Sequence, residues 1–469
     1  MVGAVMLKEW KEFVRTGRLV LAAIFFLALL AVSIYTSWQY SDAIQTQYTD
    51  AGKQHRANWE NQAEKNPHAA AHFGTYVFKP KSALSLIDPG VDKFTGVAFY
   101  LEPHKQGTAQ YSAVQDETST IWFGELTPAF VLLYLIPLLI ILLGFNAFTK
   151  EREYGTAKLM MIQGAGKLSI LAGKSLMLLF VAFVIMVPVL FSGLIISAGS
   201  NQFSAFSMSN LLVLLVMYLL YYIVIINVCL FVSSVVQRSG LSFLVLLCFW
   251  MVSTFIVPKV AANIAEQQNP SALLSDLDAM VEKRRSAGID GHNAANEQAK
   301  KLEAEVLKMY GVDSVSQLPV NIAGIRLQRG EAFTARIYDS VFGLLKTTLD
   351  DQSLTFSRSA VFSPFSSARF LSMAFCGSDY EYHWHFANAA EKYRLYFVQY
   401  LNEDIVNHSK TGEDYTVGRD LYSSIKPFSY QPQSLGETVN QQRWNILALC
   451  IWLLVSSLLV MVAVQKLKI

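Results

Sequence analysis

The sequence predicts an α-helical polytopic membrane protein in which six transmembrane helices carry two large insertions. Only 16% of the 469 residues are charged and 53% are hydrophobic, whereas roughly 25% of the residues of a soluble domain are charged. About six apolar runs approach the roughly 20 residues that a helix needs to cross a bilayer. The predicted spans are residues 19–38, 126–148, 175–198, 211–236, 241–258 and 444–464.

An amphipathic helix is predicted before the first span. Two sets of residues alternate at helical spacing within residues 1–18. The apolar set is Leu7, Trp10, Phe13 and Val14, and the charged set is Lys8, Glu9, Lys11, Glu12 and Arg15. We expect the two sets on opposite faces of a helix that lies in the membrane interface. Such a helix anchors the chain or docks a partner subunit.

The two long connections differ in predicted secondary structure. The first insertion, residues 39–125, is mixed: a helical run over 53–70 ends at or before Asn66-Pro67, and two alternating strand patterns flank the turn Asp88-Pro89-Gly90. The second insertion, residues 259–443, is mainly helical, with patterns over 271–288, 294–311, 331–349 and 386–402. There Asn293 is the expected N-cap and Gly311 the expected stop of one helix. We expect two folded domains.

Lysine and arginine predict the orientation, because these residues are enriched on the cytoplasmic side of a membrane. They cluster before span 1, between spans 2 and 3, after span 4 and at the C-terminus. Both termini, the loop 149–174 and the tail 465–469 are therefore expected in the cytoplasm, with both insertions in the periplasm of a bacterial inner membrane. The net charge of +2 argues against nucleic acid as a partner, whereas lipid surrounds the spans.

The spans lack the groups that ion coupling needs. None of the six predicted spans contains Asp, Glu, Lys, Arg or His, and ion-coupled transporters place such residues inside the bilayer. The string Gly173-Lys174-Ser175 is not a phosphate-binding loop, because Leu168 stands where that motif has its first glycine. We therefore expect no cofactor on this chain and an energy source on another chain. No hydrolase signature recommends an enzyme.

The loop between spans 2 and 3 carries the most informative motif. It contains the charged cluster Lys150–Glu153, then Gly155-Thr156, a leucine- and methionine-rich segment, and Gly173-Lys174 at the start of span 3. This pattern predicts a short helix along the cytoplasmic face that a partner could hold. The alternative is an ordinary charged hairpin.

This motif resembles the E-R-E-x-G-T…G-K signature of the membrane subunits of type-2 ABC exporters. The strings 87–90, 101–106 and 363–379, together with Phe386, resemble a bacterial subgroup with large periplasmic domains. The resemblance implies a coupling helix that docks on an ABC ATPase dimer, which binds ATP and Mg²⁺, and a second permease chain. The implied coupling residues are Glu151, Arg152, Glu153, Gly155, Thr156, Leu159, Gly173 and Lys174.

Histidines in the insertions are candidate metal ligands. His383 and His385 would share one face with Asp379 and Glu381 if this segment were extended, which would suit copper or zinc. If a helix begins at Tyr380, the two rings point apart. His68 and His72 share a helical face only if Pro67 begins a helix.

Three functional hypotheses follow. The first is the permease subunit of an ATP-driven exporter that moves or extracts a substrate. The second is a mechanotransmission or assembly platform, whose ATP-driven motion acts on a periplasmic or outer-membrane partner. The third is a membrane protein that handles copper or zinc in the periplasm.

Overall fold

The computed structural model describes residues 1–112, 126–199 and 205–467. The end of the first insertion, part of the connection between spans 3 and 4, and the basic tail residue Lys468 lie outside the described residues. Within the described part of the chain, six helices are long and apolar enough to cross a membrane. The predicted helical polytopic fold is thus confirmed.

The N-terminal part contains two helices, of which the sequence predicted the first as a whole and the second only in pieces. The amphipathic helix α1 (Val2–Arg15) is followed by α2 (Arg18–Glu60). At 1.5 Å per residue, the 43 residues of α2 form a rod about 65 Å long. The predicted first span is therefore only the first half of a helix that continues into the first insertion.

As far as residue 112, the rest of the first insertion contains a short α-helix, a 3-10 helix (Ala83–Leu86) and a two-stranded sheet. The helix α3 (Pro67–Ala71) is capped by Asn66, whose side chain accepts a hydrogen bond from the His68 N–H. The prediction that the helical run over 53–70 ends at or before Asn66-Pro67 is confirmed, because α2 ends at Glu60 and Pro67 begins a new helix. The predicted strands are present as β1 (Thr75–Phe78) and β2 (Ala98–Leu101), which pair antiparallel.

The second span is a composite helix. One turn, Pro128–Phe130, leads through a π-helical turn, Val131–Leu135, into α4 (Ile136–Gly144). Pro137 has no N–H to donate to the Leu133 carbonyl, so the helix widens to accommodate it. The Tyr221 hydroxyl, 3.3 Å away, donates to that carbonyl instead.

Two short helices and two long ones follow. They are α5 (Thr149–Glu153), α6 (Thr156–Ile162), α7 (Lys167–Gly199) and α8 (Ala205–Val235). The next span is α9 (Ser239–Met251), a π-helical turn, Val252–Ile256, and α10 (Val257–Gln268), which again places a proline, Pro258, directly after the π turn.

The second insertion is helical, as its patterns predict. Its helices are α11 (Leu274–Arg285), α12 (Glu297–Tyr310), α13 (Ile322–Arg358), α14 (Pro364–Phe375), α15 (Tyr380–His408), α16 (Arg419–Ser424) and α17 (Leu435–Gln441), and the last span is α18 (Arg443–Gln465). Gly311 ends α12 with a φ of 67°, as expected. Asn293 as N-cap is wrong: Asn296 caps α12, and Asn293 accepts from the Ala295 N–H in the preceding turn.

The two insertions share their cores. Trp59 of the first insertion lies with its ring 4.6 Å from Phe397 of the second, and its indole N–H donates to the Tyr422 carbonyl. On the sheet, Phe99 packs against Phe386 of α15. The sequence suggested two separate domains, but these contacts make one unit. We call the described parts of the insertions, residues 39–112 and 259–443, the insertion body.

A buried polar contact fixes the turn at Asp88-Pro89-Gly90. The Asp88 carboxylate accepts from Arg369 of α14 at 2.7 Å, and the Asp88 carbonyl accepts from the Ser378 hydroxyl. Gly90 has a φ of +52°, and a Cβ there would lie 2.2 Å from the Ser378 carbonyl oxygen, so this position requires glycine.

The predicted basic segments meet at the opposite end of the helix bundle. Lys8 of α1 contacts Glu151 of α5, and Lys167 of α7 donates to the Leu467 carbonyl near the C-terminus at 2.8 Å. We call α1, residues 149–166 and residues 465–467 the basic end.

Candidate functional site: the charged loop between the second and third spans

Glu151 belongs to a buried ion network at the basic end. Its carboxylate lies 2.7 Å from the ammonium groups of both Lys8 and Lys174. Lys174 also contacts Glu9 of α1 at 2.6 Å, and only 2% of its side chain is exposed. The network therefore joins α1, α5 and α7, three elements that are distant in sequence.

Gly173 permits this arrangement. A Cβ at Gly173 would lie 2.7 Å from the Val5 Cβ and 2.9 Å from the Val2 carbonyl oxygen. Because glycine has no Cβ, α1 can lie directly against α7, and Glu9 comes within reach of Lys174. Gly173 and Lys174 thus act together: the glycine allows α1 to approach α7 closely, and the lysine forms an ion pair with α1.

The network favours the charged forms of Glu9 and Lys8. Burial by itself raises the pKa of Glu9, but the positive charges of Lys174 and Lys8 outweigh burial and hold this pKa below its ordinary value. Burial lowers the pKa of Lys8, and the carboxylates of Glu9 and Glu151 more than reverse the effect. The contacts are therefore charge-assisted hydrogen bonds, which are stronger than neutral ones.

Arg152 and Glu153 contact two further spans. The Arg152 guanidinium donates to the carbonyls of Ser233, at 3.0 Å, and of Val236, at the C-terminal end of α8. The Glu153 carboxylate accepts from the backbone N–H and the hydroxyl of Ser239, both at 2.8 Å, at the start of α9. Each side chain carries the charge that complements the dipole of the helix end it contacts.

The helix α6, by contrast, presents apolar side chains to solvent. Gly155, with a φ of 69°, is its N-cap, and the Thr156 hydroxyl lies 3.5 Å from the Glu151 carbonyl oxygen. Leu159 is 58% exposed and Ile162 is 81% exposed. Tyr154, just before α6, is 73% exposed. Adjacent large apolar side chains of this kind mark interaction sites. We call Tyr154, Leu159 and Ile162 the α6 patch.

The structure divides the coupling residues that the resemblance implied. Glu151, Arg152, Glu153, Gly173 and Lys174 brace the basic end, whereas Gly155, Thr156 and Leu159 lie at its surface. Sequence reasoning missed the other network members, Lys8 and Glu9, and two members of the α6 patch, Tyr154 and Ile162. The loop motif alone could not show that Lys8 and Glu9 belong to the ion network, because these two residues lie on another helix.

The predicted faces of α1 are wrong for Glu9 and Phe13. The stripe that faces the protein is Val5, Glu9 and Phe13, at a spacing of four residues, while Leu7 and Trp10 are exposed. The spacing groups Glu9 with the charged residues opposite the apolar face, and glutamate is seldom buried. Glu9 is nevertheless buried in α1, because Lys174 of α7 supplies the opposite charge.

His383 and His385 do not share a face. Both lie in α15, where residues two apart point in directions about 200° different. His385 is hydrogen-bonded to the Tyr430 hydroxyl at 3.0 Å, and burial lowers the pKa of His383 to about 3. Asp379 caps α15, and Glu381 pairs with Lys346. The geometry that the metal hypothesis required at this segment is therefore not formed.

A different set of histidines converges. His68 and His72 lie together because Pro67 does begin a helix, and His104 and His292 join them. One nitrogen of each ring lies within 4.8 Å of the chosen nitrogens of the other three. Sequence reasoning considered His68 and His72 but missed the other two, which come from a turn after β2 and from the second insertion. The only signal for His104 was its place in the string 101–106.

Two family models match the chain. One is the ABC-2 family transporter protein, which matches residues 3–323 and includes the loop described above. The other is a domain of unknown function, DUF3526, which matches residues 276–431 in the second insertion. No curated protein matches this sequence. Because the first match covers more than half of the chain, the protein belongs to the ABC-2 transporter family and is the permease subunit of an ABC transporter, with an additional domain of unknown function.

Proposed function

We propose that this permease is the membrane subunit of an ATP-driven exporter and that a separate ABC ATPase docks on the α6 patch. The proposal depends on one observation: the exposed apolar helix α6 lies directly after Glu151, Arg152 and Glu153, whose side chains contact the neighbouring helices. A partner that binds α6 acts on a segment whose charged residues hold four helices. These are α1, α7, α8 and α9.

The proposed orientation puts the basic end in the cytoplasm. Lysine-rich segments that are distant in sequence meet there, and such segments favour the cytoplasmic side. The insertion body then lies in the periplasm, and the membrane is the bacterial inner membrane. This orientation places the α6 patch in the compartment where ATP is available.

The absence of charge from the predicted spans supports an external energy source. An ABC ATPase dimer would bind and hydrolyse ATP with Mg²⁺, and closure of the dimer would move α6. Glu151, Arg152 and Glu153 would pass this motion to the ends of the spans. A second permease, either another copy of this chain or a sister chain, would supply the other half of the translocation unit.

The experiment is a docking test on the reconstituted complex. We expect Leu159→Asp and Ile162→Asp each to weaken binding of the ATPase by about 30-fold, the effect of losing roughly 2 kcal/mol at an interface hot spot. ATPase stimulation by the permease should fall in parallel. The matched control is Leu273→Asp, the same change at a leucine of the insertion body that is 68% exposed. Unchanged ATPase binding by both α6 variants would refute the docking surface.

A second candidate function, mechanotransmission, is favoured by the continuity of two helices. The first span is the N-terminal half of α2, and this helix continues without a break to Glu60 in the first insertion. The fifth span continues through α10 to Gln268 in the second insertion. Motion at the basic end could therefore reach the insertion body through rigid helices. The body would then act on a periplasmic or outer-membrane partner without transport through the spans.

Labelling of single cysteines separates the two candidates. In a cysteine-free protein, export predicts that residues at mid-membrane depth in α8 and α18 react with a water-soluble maleimide during ATP turnover. Mechanotransmission predicts that these positions stay unreactive, while spin labels on α2 and α13 change their distance when ATP is added. Maleimide labelling of the mid-membrane positions during ATP turnover would favour export. Unlabelled mid-membrane positions, together with a change in the distance between the spin labels, would favour mechanotransmission.

A further inference from the structure

We infer that His68, His72, His104 and His292 bind one tetrahedral Zn²⁺ ion that fastens the two insertions together. Three of these ligands come from the first insertion and one from the second. The site is independent of ATPase docking, because it lies in the insertion body rather than at the basic end.

The ring positions fit a tetrahedron. With a Zn–N distance of 2.0–2.1 Å, ring centroids lie about 3.2 Å from the metal, so tetrahedral neighbours are about 5.2 Å apart. The six centroid distances in the cluster range from 4.9 to 5.9 Å. A square arrangement would instead make two distances about 1.4 times the other four. The observed spread is smaller, which favours Zn²⁺ over square-planar Cu²⁺ or Ni²⁺.

Hydrogen bonds outside the cluster turn the Nε2 atoms of two rings toward each other. His68 Nδ1 lies 2.8 Å from Asn402 Oδ1, and Asn402 uses its NH₂ group to donate to Gln328, so the proton of His68 is on Nδ1. His104 Nδ1 lies 3.1 Å from a carboxylate oxygen of Glu331, which can only accept. These contacts leave Nε2 of both rings as the nitrogen that can coordinate a metal ion.

The Nε2 atoms of His68 and His104 lie only 3.1 Å apart. His104 Nε2 also lies 2.9 Å from His292 Nε2. A metal ion placed among the rings would accept one lone pair from each of them.

The support around the rings is typical of a metal site. A ligand histidine generally donates its other N–H to a carboxylate or carbonyl, which fixes the ring and raises its basicity. His104 has this arrangement with Glu331, and Arg394 in turn holds Glu331. Arg394 and Glu331 are both almost fully buried. This second layer comes from α13 and α15, so the second insertion also positions the ligands of the first.

The backbone is shaped to bring the ligands together. His104 adopts a φ of 63°, a left-handed conformation that is uncommon for residues other than glycine. The loop with His292 lies flat on α13, where a Cβ at Gly330 would come within 2.9 Å of the Gly291 backbone nitrogen. His72 and His292 are exposed, so a metal ion can reach the cluster from solvent.

Four imidazoles without thiolates select the class of ion. Cu⁺ favours sulfur ligands, and Ca²⁺ and Mg²⁺ favour oxygen ligands, whereas imidazole suits Zn²⁺. Four protein ligands leave no position for a substrate, so the site is structural rather than catalytic. Such a site does not release its metal readily, and it therefore argues for a fastening role rather than metal handling.

The test uses the full-length chain in detergent, stripped with a chelator and dialysed against Zn²⁺. We expect one zinc per chain by elemental analysis, and the intense visible absorption of tetrahedral Co²⁺ when cobalt replaces zinc. His72→Ala and His292→Ala, both exposed positions, should each weaken zinc binding by at least about 100-fold. Zinc should raise the unfolding midpoint of the wild type and leave that of His292→Ala unchanged.

The matched control is His385→Ala, a histidine of the same insertion outside the cluster, which should bind zinc like the wild type. The gel-filtration profile of each variant checks that it is folded. Less than one zinc per chain in the wild type, an octahedral cobalt spectrum, or unaltered zinc affinity in both cluster variants would overturn the inference. Loss of zinc in His385→Ala would also overturn it, because the ion would then lie elsewhere.

Discussion

The replacement Lys174→Met tests whether the basic end depends on its buried ion network. Lys174 contacts Glu9 at 2.6 Å and Glu151 at 2.7 Å, with almost no side-chain exposure. At an effective dielectric constant of about 20, a pair of charges at this separation attracts by about 6 kcal/mol. Desolvation offsets several kcal/mol per ion, so the net value of the network is far smaller than the sum of its attractions.

Removal of one partner has a larger effect than the net value of the network. Without Lys174, two buried carboxylates share only Lys8, whose side chain is 40% exposed. Breaking a buried pair in this way destabilises a protein by about 3–5 kcal/mol. We expect a value near the lower limit, about 3 kcal/mol, because Lys8 still compensates part of the negative charge.

The assay is unfolding of the purified permease in mixed micelles, followed by circular dichroism as the fraction of denaturing detergent rises. The control is Lys53→Met, which removes a lysine that is 75% exposed and lies 3.7 Å from Asp50; we expect a change below about 0.5 kcal/mol. Adding Glu9→Gln and Glu151→Gln to Lys174→Met should restore most of the stability. If Lys174→Met unfolds like the wild type, the network does not hold α1 on α7.

Three further predictions concern packing and pH. Gly173→Ala should destabilise the protein by about 1–3 kcal/mol, because its Cβ would collide with Val5, and a second change, Val5→Ala, should recover part of this loss in the same unfolding assay. The pKa of Glu9 is lowered in the folded state, so its contribution to stability is complete above the ordinary pKa of 4.5 and is lost as the pH falls below that value; Glu9→Gln should flatten the stability profile below about pH 5. Trp59→Ala should cost about 3–5 kcal/mol and loosen the insertion body in hydrogen exchange, whereas Phe94→Ala, at a position 66% exposed, should change little.

The number of spans was predictable because it depends on the local physics of the chain. A bilayer requires about 20 apolar residues per helix, and that requirement acts on each run separately. The ends of the helices were less predictable. In α2, neither Gly nor Pro interrupts the chain between Arg18 and Gly52, so nothing in the sequence stops the helix where the apolar run ends.

The candidate sites were predictable only in part. The loop motif identified Glu151, Arg152 and Glu153, but it did not show that their side chains contact the rest of the helix bundle. Their partners are lysines and helix ends that come close only through packing of the helices. The same holds for the histidines. His383 and His385 are close in sequence but point in different directions on α15, while His104 and His292 are 188 residues apart and have their Nε2 atoms 2.9 Å apart.

By itself, the sequence determined that this chain is a six-span membrane protein with charge confined to its loops, because hydropathy and charge act residue by residue. Only the tertiary structure decided that the two insertions are one body, that the Glu-Arg-Glu motif faces inward while Leu159 and Ile162 face outward, and that four histidines share a centre. These features depend on contacts between residues far apart in the chain, and a contact of that kind leaves no periodic pattern in either of the segments that make it.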